Sequence, residues 1–245
     1  YKILKSLLSL FLLFLCLPFV FAQSHNGDFH SSERLWLDSE ITHGGNYSWK
    51  MIKAGDINAP GEAISQPGLQ TSEWMPAIVP GTVLNSLVYN KKYPEPYYGI
   101  NNKLESKLIP DISETGRDFY TYWFRTEFTV PESFKGKTIW LQLDGINYRA
   151  EVWVNGNLLS TIHGMFMQDY INVSEFVKTG KKNALAIKVY PVDVPGSAKP
   201  KTWGAVGEFH NGGNGNIGLN TTMLMTVGWD FTFMDGIRDR NTGIW

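Results

Sequence analysis

The sequence has almost no cysteine. Among its 245 residues only Cys16 is present, so no disulfide can form within one chain. A small secreted module held together by disulfides is therefore excluded, and stability must come from the packing of a core. The material for such a core is present, since 43% of the residues are hydrophobic and 14% are aromatic.

An excess of positive charge is also absent. The chain carries 22 Lys and Arg residues against 23 Asp and Glu residues, for a net charge of −1. Such a balance gives no electrostatic attraction to nucleic acid or to anionic lipid. We therefore predict no nucleic-acid partner and expect a neutral one.

Sequence motifs for metal, nucleotide and serine chemistry are missing or stand in the wrong context. No Gly-x-Ser-x-Gly motif occurs. Residues 213–218 match Gly-x-Gly-x-x-Gly, but a loop-like stretch precedes them and no helical pattern follows. We predict no metal and no cofactor, because the five histidines show no metal-ligand spacing: His25, His30, His43, His163 and His210.

Outside its first 22 residues the sequence has no long apolar run. Residues 1–22 contain Lys2 and Lys5, then an apolar stretch that ends with Ala22. This layout predicts a secretory signal peptide, and hence export to the periplasm or the exterior of a bacterium, with no membrane contact after cleavage. A retained membrane anchor is the alternative, since the stretch approaches the roughly 20 residues of a membrane span.

What the rest of the sequence contains is typical of β-strands. Short apolar runs rich in β-branched and aromatic residues lie between Gly, Pro, Asn and Asp residues, at 47–53, 120–130, 138–143, 148–155 and 184–190. Only residues 81–90 have the spacing of a short helix, with Val83, Leu84, Leu87 and Val88 on one face. We predict an all-β, antiparallel jelly-roll sandwich with one short helix over residues 35–226, after a disordered stretch at 23–34.

The stretch from Tyr148 to Ile162 predicts a hairpin. Its first half alternates between apolar and polar residues. Asn155 and Gly156 then supply the two residues that tolerate positive φ in a tight turn.

Nine tryptophans and eleven tyrosines are available for the core or for a site. We predict that Trp49, Trp123, Trp140 and Trp153 are core residues, because they lie within the predicted strands. Tyr97, Tyr98, Trp203 and Trp229 lie in predicted loops instead. Exposed rings of this kind can stack on the C–H face of a sugar, and the Trp229-Asp230 pair and the Tyr97–Asn101 stretch add groups that can bind its hydroxyls.

Six segments resemble a known family in their order and spacing. They are WMPAIVPGTVLNSL, PEPYYGIN, YTYWFRTEFTVP, LDGINYRAEVWVNGNLLSTIHGMF, NALAIKVYP and VGWDFTF…NTGIW. Together they resemble the N-terminal sugar-binding domain of glycoside hydrolase family 2, in its exo-β-glucosaminidase and β-mannosidase branch. The resemblance implies a galactose-binding-domain-like jelly roll, followed in the family by an immunoglobulin-like domain and a TIM barrel with two catalytic glutamates.

The resemblance also implies a function and a site. The chain would be the N-terminal domain of an exported glycosidase that removes a terminal β-linked hexose or hexosamine, with no catalytic residue of its own. Residues 227–245 would form a pocket loop and the start of a linker, with Gly243-Ile244-Trp245 as the hinge. In the family this loop reaches the active site, so Asp230 and Trp229 become the predicted substrate-binding residues and Asn101 a further one. The family has a second tryptophan where this chain has Phe231, which leaves the identity of the sugar open.

Two other readings of the same sequence are possible. The first is a stand-alone, non-catalytic carbohydrate-binding module, and the second is a structural domain that supports a barrel and contacts no sugar.

Overall fold

The computed structural model describes residues 33–42, 45–96, 98–101, 106–110, 115–164, 167–191 and 243–244. The chain divides into residues Tyr1–Leu35 and a compact unit, Trp36–Trp245. All the helices and strands described below lie in the second unit. The predicted signal peptide at 1–22 and residues 23–32 of the predicted disordered stretch at 23–34 lie outside the described residues.

Antiparallel strands dominate the described residues. In chain order they are β1 (Lys50–Lys53), β2 (Met75–Pro76), β3 (Gly81–Thr82), β4 (Tyr122–Thr129), β5 (Trp140–Leu143), β6 (Ile146–Asn147), β7 (Arg149–Val154), β8 (Asn157–His163), β9 (Asp169–Asn172), β10 (Lys182–Tyr190) and β11 (Gly243–Ile244). They form a six-stranded sheet in the order β2-β1-β4-β10-β7-β8, a three-stranded sheet β3-β11-β6 and a two-stranded sheet β5-β9. The predicted all-β class is confirmed, with strand ends shifted by a few residues, while the jelly-roll connectivity stays a prediction.

Helices are few and short. Helix α1 (Gly61–Ile64) is a single turn that the sequence did not predict, and α2 (Val83–Tyr89) lies within the predicted segment 81–90. The hydroxyl of Thr82 caps α2 by accepting a hydrogen bond from the Asn85 amide at 2.9 Å. Short 3-10 turns occur at Ala54–Asp56, Arg117–Tyr120 and Glu132–Phe134.

The predicted hairpin between β7 and β8 is confirmed. Asn155 and Gly156 have φ values of 48° and 87°, as a tight turn between antiparallel strands requires. The Asn155 side chain also ties this turn to β10, because its Oδ1 accepts from the Ala184 amide at 2.9 Å. The turn is therefore fixed both by local backbone preference and by a long-range hydrogen bond.

The six-stranded sheet is covered on both faces along β10. Leu185, Ile187 and Val189 are buried on one face. On the other face Ala186 packs with Ile64, Trp74 and Trp123 in a second apolar cluster. Trp153 and partly buried residues of the 52–69 segment pack against this cluster. The small side chain of Ala186 leaves room for that segment to lie against the sheet.

A buried arginine joins the same segment to β4. Arg125 is 4% exposed, its Nε donates to the Ile64 carbonyl at 2.9 Å, and its Nη2 donates to the Gln66 carbonyl at 2.7 Å. Nη2 also lies 2.6 Å from Glu127 Oε1, which completes an ion pair. Because a buried cation needs such partners, these contacts hold the segment in place.

The four strand tryptophans do not share one environment. Trp49 and Trp123 are buried, as predicted, and Trp153 is half-buried against the second cluster. Trp140 is 44% exposed, so the prediction that it is a core residue is wrong. The reason is that β5 belongs to the two-stranded sheet, where Leu143 points inward and Trp140 lies on the opposite, outer face.

Candidate functional site

The two principal predicted site residues, Trp229 and Asp230, lie outside the described residues. Their role in binding a sugar therefore stays a prediction. The third, Asn101, is described, and so is the short strand β11 that follows the segment containing Trp229 and Asp230.

Asn101 closes a surface loop. Its Nδ2 donates to the Glu95 carbonyl at 2.8 Å, and its backbone amide donates to the Tyr98 carbonyl at 3.1 Å. The Ser106 hydroxyl in turn donates to the Asn101 carbonyl at 3.3 Å. The side-chain amide of Asn101 thus shapes the loop, and among the described residues none donates to its Oδ1, the atom that could accept from a sugar hydroxyl.

The tip of this loop carries exposed apolar side chains. Tyr98 is 77% exposed and Ile100 is 58% exposed. Gly99 between them has a φ of +56°, a conformation that glycine adopts without strain. An exposed ring beside an amide is the arrangement that the sequence predicted for a sugar-binding loop, although Tyr97 lies outside the described residues.

Strand β11 fixes the chain that follows the predicted pocket loop. Gly243 pairs with Thr82 and Asn147, and Ile244 pairs with Gly81 and Ile146. Ile244 is 3% exposed. These two residues of the predicted linker therefore lie inside the sandwich as the central strand of a sheet, next to the start of α2.

Two carboxylates of the six-stranded sheet are engaged in contacts within the fold. Glu151 accepts hydrogen bonds from the Tyr190 hydroxyl and from Trp153 Nε1. Burial and this contact with Glu151 raise the pKa of Tyr190 above its usual range. Burial alone would also raise the pKa of Glu127, but hydrogen bonds from Arg125, the Gly68 amide and Lys182 together hold that pKa below its ordinary value.

Asp169 on β9 is in the opposite situation. Burial raises the pKa of its carboxyl group, and among the described residues its buried Oδ2 has no hydrogen-bond partner. The protonated form of Asp169 is therefore favoured by folding.

The sequence reasoning missed one exposed surface, the outer face of β5 and β9. We name it the Trp140 face; it consists of Trp140, Gln142, Asp144, Gln168, Tyr170 and Asn172, all exposed to solvent. A signal for it was available, because Trp140, Gln142 and Asp144 alternate with Leu141 and Leu143. Period-two alternation assigns the first three to the polar side of a strand.

Two features are absent from the described residues. No group of three or more His, Cys, Asp and Glu side chains in the described ranges is arranged to hold a metal ion. In the same ranges, no helix has the length and hydropathy needed to cross a membrane.

Comparison with known proteins links most of the chain to one family. The glycosyl hydrolase 2 galactose-binding domain-like family matches residues 50–245. The chain is 36% identical over 200 residues to a mannosylglycoprotein endo-β-mannosidase of Lilium longiflorum, a match that covers 80% of this chain and 20% of the relative. It is 31% identical over 134 residues to an exo-β-D-glucosaminidase of Amycolatopsis orientalis, which covers 54% of this chain and 12% of the relative.

Solved structures agree in fold. The crystal structure of the Amycolatopsis orientalis exo-chitosanase superposes with a TM-score of 0.50 at 28% identity, over 60% of this chain and 17% of that one. A complex of a variant of that enzyme with PNP-β-D-glucosamine superposes with a TM-score of 0.53 at 22% identity, over 82% of this chain and 20% of that one. The chain thus spans a fifth or less of the length of these relatives.

Proposed function

Because this chain belongs to the glycosyl hydrolase 2 galactose-binding domain-like family, we propose that it is the N-terminal sugar-binding part of a β-glycosidase. The enzyme hydrolyses an O-glycosyl bond of a β-linked hexose or hexosamine. The family match carries this proposal, because it extends over residues 50–245 and so includes Trp229, Asp230 and Asn101. The enzymes named among the relatives act on β-mannosides and β-glucosaminides by their names, which supports this substrate class.

In the proposed enzyme the chemistry belongs to another part of the protein. A retaining glycosidase places two carboxyl groups about 5–5.5 Å apart on either side of the glycosidic bond, and we assign these to a barrel domain of the same protein. The role of this chain is to bind the substrate. Asp230 accepts hydrogen bonds from hydroxyls of the sugar, Trp229 stacks on its C–H face, and the side-chain Oδ1 of Asn101 supplies a further acceptor.

Whether the enzyme removes terminal sugars is a separate part of the proposal. The sequence predicts removal of a terminal residue, which needs a pocket closed on one side. The relatives include an exo-β-D-glucosaminidase and an endo-β-mannosidase, so they support both modes. Product analysis on a β-linked hexasaccharide separates them, because an exo-enzyme releases only monosaccharide at early times.

The role of Asp230 is tested by Asp230→Ala in the whole enzyme. Loss of a charged hydrogen bond to a buried hydroxyl costs roughly 1.5–3 kcal/mol of transition-state stabilisation, which lowers kcat/KM by about 10- to 150-fold. The assay measures release of p-nitrophenol from p-nitrophenyl β-mannoside and β-glucosaminide. Asp118→Ala is the matched control, because Asp118 is an exposed aspartate on the sandwich; it leaves kcat/KM unchanged.

Two results would contradict the proposal. Unchanged kinetics for a folded Asp230→Ala variant would remove Asp230 from the site. No hydrolysis of any β-mannoside or β-glucosaminide by the whole protein would reject the β-glycosidase itself.

Export is proposed from residues 1–22 alone. Their basic start, apolar run and small residue at Ala22 are those of a cleaved signal. N-terminal sequencing of the protein purified from its own cells tests this, since cleavage gives a mature chain that begins at Gln23. A chain that retains residues 1–22 in a membrane fraction would support the anchor instead.

A further inference from the structure

We infer that the Trp140 face is a binding surface for a β-linked oligosaccharide chain. This inference goes beyond the proposed hydrolytic function and does not depend on it. Neither β5 nor β9 contains a residue to which the sequence assigned a role in a site.

The register of the two strands sets the arrangement of this face. Trp140 lies opposite Asn172, and Gln142 lies opposite Tyr170. The two aromatic side chains are therefore diagonal neighbours, about 7–8 Å apart at the backbone. The two amide side chains, Gln142 and Asn172, occupy the other diagonal, so each ring has one amide beside it on its own strand and one opposite it on the partner strand.

A third row extends the face beyond the paired residues. Leu143 pairs with Asp169, which brings the following Asp144 next to the preceding Gln168, and Gln168 Nε2 donates to Asp144 Oδ1 at 3.2 Å. From Trp140 to Asp144 the strand advances by about 13 Å. This length exceeds one sugar ring, so the face suits a chain of sugars better than a monosaccharide.

Hydrogen bonds within the face orient its polar groups. Gln142 Nε2 donates to Asp144 Oδ1 at 2.7 Å, the Tyr170 hydroxyl donates to Gln168 Oε1 at 3.4 Å, and the Ser174 hydroxyl donates to Asn172 Oδ1 at 2.7 Å. Both glutamine amides thus use the same oxygen of Asp144. Among the described residues nothing donates to Asp144 Oδ2 or accepts from Asn172 Nδ2, so these atoms are available to sugar hydroxyls.

The chemistry of the face distinguishes a glycan from other partners. Trp140 and Tyr170 are 44% and 36% exposed, and exposed rings can stack on the C–H faces of sugar rings. Four of the six side chains are amides or a carboxylate, whereas the centre of a protein interface is usually depleted of acidic side chains. The face contains no Lys or Arg, which makes it unsuited to phosphate or nucleic acid.

The single carboxylate also matches the proposed ligand in charge. Asp144 is the one charged residue of the face. Because its Oδ2 can only accept hydrogen bonds, it favours a ligand that donates them. A neutral hexose chain supplies hydroxyl donors, and a chain of β-linked glucosamine adds a cation. Both lie within the class of β-linked oligosaccharides.

The test measures glycan affinity on the whole protein with β-1,4-linked mannohexaose and glucosamine hexamer, by isothermal titration calorimetry. Because the proposed hydrolytic site would also bind these chains, all variants are made in the Asp230→Ala protein and the two sites are fitted separately. Trp140→Ala and Tyr170→Ala are each expected to weaken binding about tenfold or more, because a desolvated aromatic side chain usually dominates such a surface. Trp140→Phe keeps a ring and is expected to bind with intermediate affinity. Tyr89→Ala is the matched control, since Tyr89 is an exposed aromatic residue at the end of α2, and it leaves the affinity unchanged.

Several outcomes would overturn the inference. One is binding that is unaffected in both alanine variants while circular dichroism shows them folded; another is a lack of binding to either hexasaccharide. A change of oligomeric state in Trp140→Ala without any effect on glycan affinity would assign the face to a protein interface. If Trp140→Ala does not fold, Tyr170→Ala decides the question by the same criteria.

Discussion

Strands β10 and β5 belong to the same sandwich, but they differ in how their faces are covered. In β10 all residues from Asn183 to Ile187 are buried, so both faces are packed. In β5 Trp140 and Gln142 are exposed, and only Leu143 is fully buried. The first strand lies inside the sheet, between β4 and β7, and the second has one face in solvent.

The difference follows from side-chain size and polarity. Ala186 on the second face of β10 is small, so a chain segment can pack against it. On the outer face of β5, Trp140 is large and Gln142 is polar. The Gln142 side chain is held by its hydrogen bond to Asp144 Oδ1. A fully covered strand therefore stabilises the fold, while a half-covered strand is free to bind a ligand.

The largest expected effect concerns the covered sheet. Phe124 is 0% exposed and pairs with Met51 on one side and Ile187 on the other. Phe124→Ala removes a large buried side chain, so the free energy of unfolding falls by about 3–5 kcal/mol. Urea unfolding measures it, and a loss below about 1 kcal/mol would mean that this sheet is not the core.

The next effect concerns the segment that covers β10. Arg125→Met removes the hydrogen bonds to Ile64 and Gln66 and leaves Glu127 without its buried partner. Because Glu127 keeps some exposure to solvent, we expect a loss of about 2–3 kcal/mol in urea unfolding. Lys182→Met is the matched control: Lys182 also contacts Glu127 but is 65% exposed, so it costs less than about 1 kcal/mol. Equal losses would show that the buried contacts of Arg125 add nothing.

A smaller effect appears when the pH is changed. Hydrogen bonds outweigh burial and hold the pKa of Glu127 below its ordinary value of 4.5. The stability that Glu127 provides is therefore fully present above pH 4.5 and is lost as the pH falls through the lower pKa of the folded state. Glu127→Gln removes this loss in urea unfolding between pH 7 and pH 3, and an unchanged acid slope would contradict the assignment.

Asp169, in the sheet formed by β5 and β9, gives a pH dependence of stability opposite in sign to that of Glu127. Burial raises the pKa of Asp169 above its ordinary value of 3.8. The stability that the protonated Asp169 provides is therefore fully present below pH 3.8 and is lost as the pH rises through the raised pKa of the folded state. Asp169→Asn is thus expected to stabilise the protein at neutral pH and to change nothing in acid. The same titration measures both variants, and parallel slopes for the two would refute this contrast between the sheets.

The smallest expected effect on stability is that of Trp140→Ala. The side chain is 44% exposed on the outer face of β5, so its truncation changes the free energy of unfolding by less than about 1 kcal/mol. Trp49→Ala, at a buried tryptophan that donates a hydrogen bond to the Leu37 carbonyl, costs several times more. Similar losses in urea unfolding would show that Trp140 is a core residue after all.

Local patterns predicted those parts of the fold that depend on neighbouring residues. The Asn155-Gly156 turn and helix α2 follow from positive φ, a capping threonine and apolar spacing, which act within a few residues. Strand β11 could not be predicted in this way, because a two-residue strand has no period of its own. Its place comes from pairing with β3 and β6, far away in the sequence.

The candidate site likewise has parts that the sequence predicted and parts that depend on the tertiary structure. The family resemblance selected Asn101, and the structure adds that its side-chain amide closes the loop. The sugar-binding roles of Trp229 and Asp230 remain predictions from the sequence. The Trp140 face could not be predicted because Trp140 was assigned to the core from its position within a predicted strand, whereas the exposure of its side chain depends on which strand pairs with β5.

The sequence by itself determined the alternation of each strand, the tight turn and the family to which the chain belongs, because these depend on residue type and order. Only the tertiary structure decided which strand faces are covered. Ala186 is buried because a distant segment, held by Arg125, packs on it. Trp140 is exposed because its strand pairs with β9 and presents its outer face to solvent.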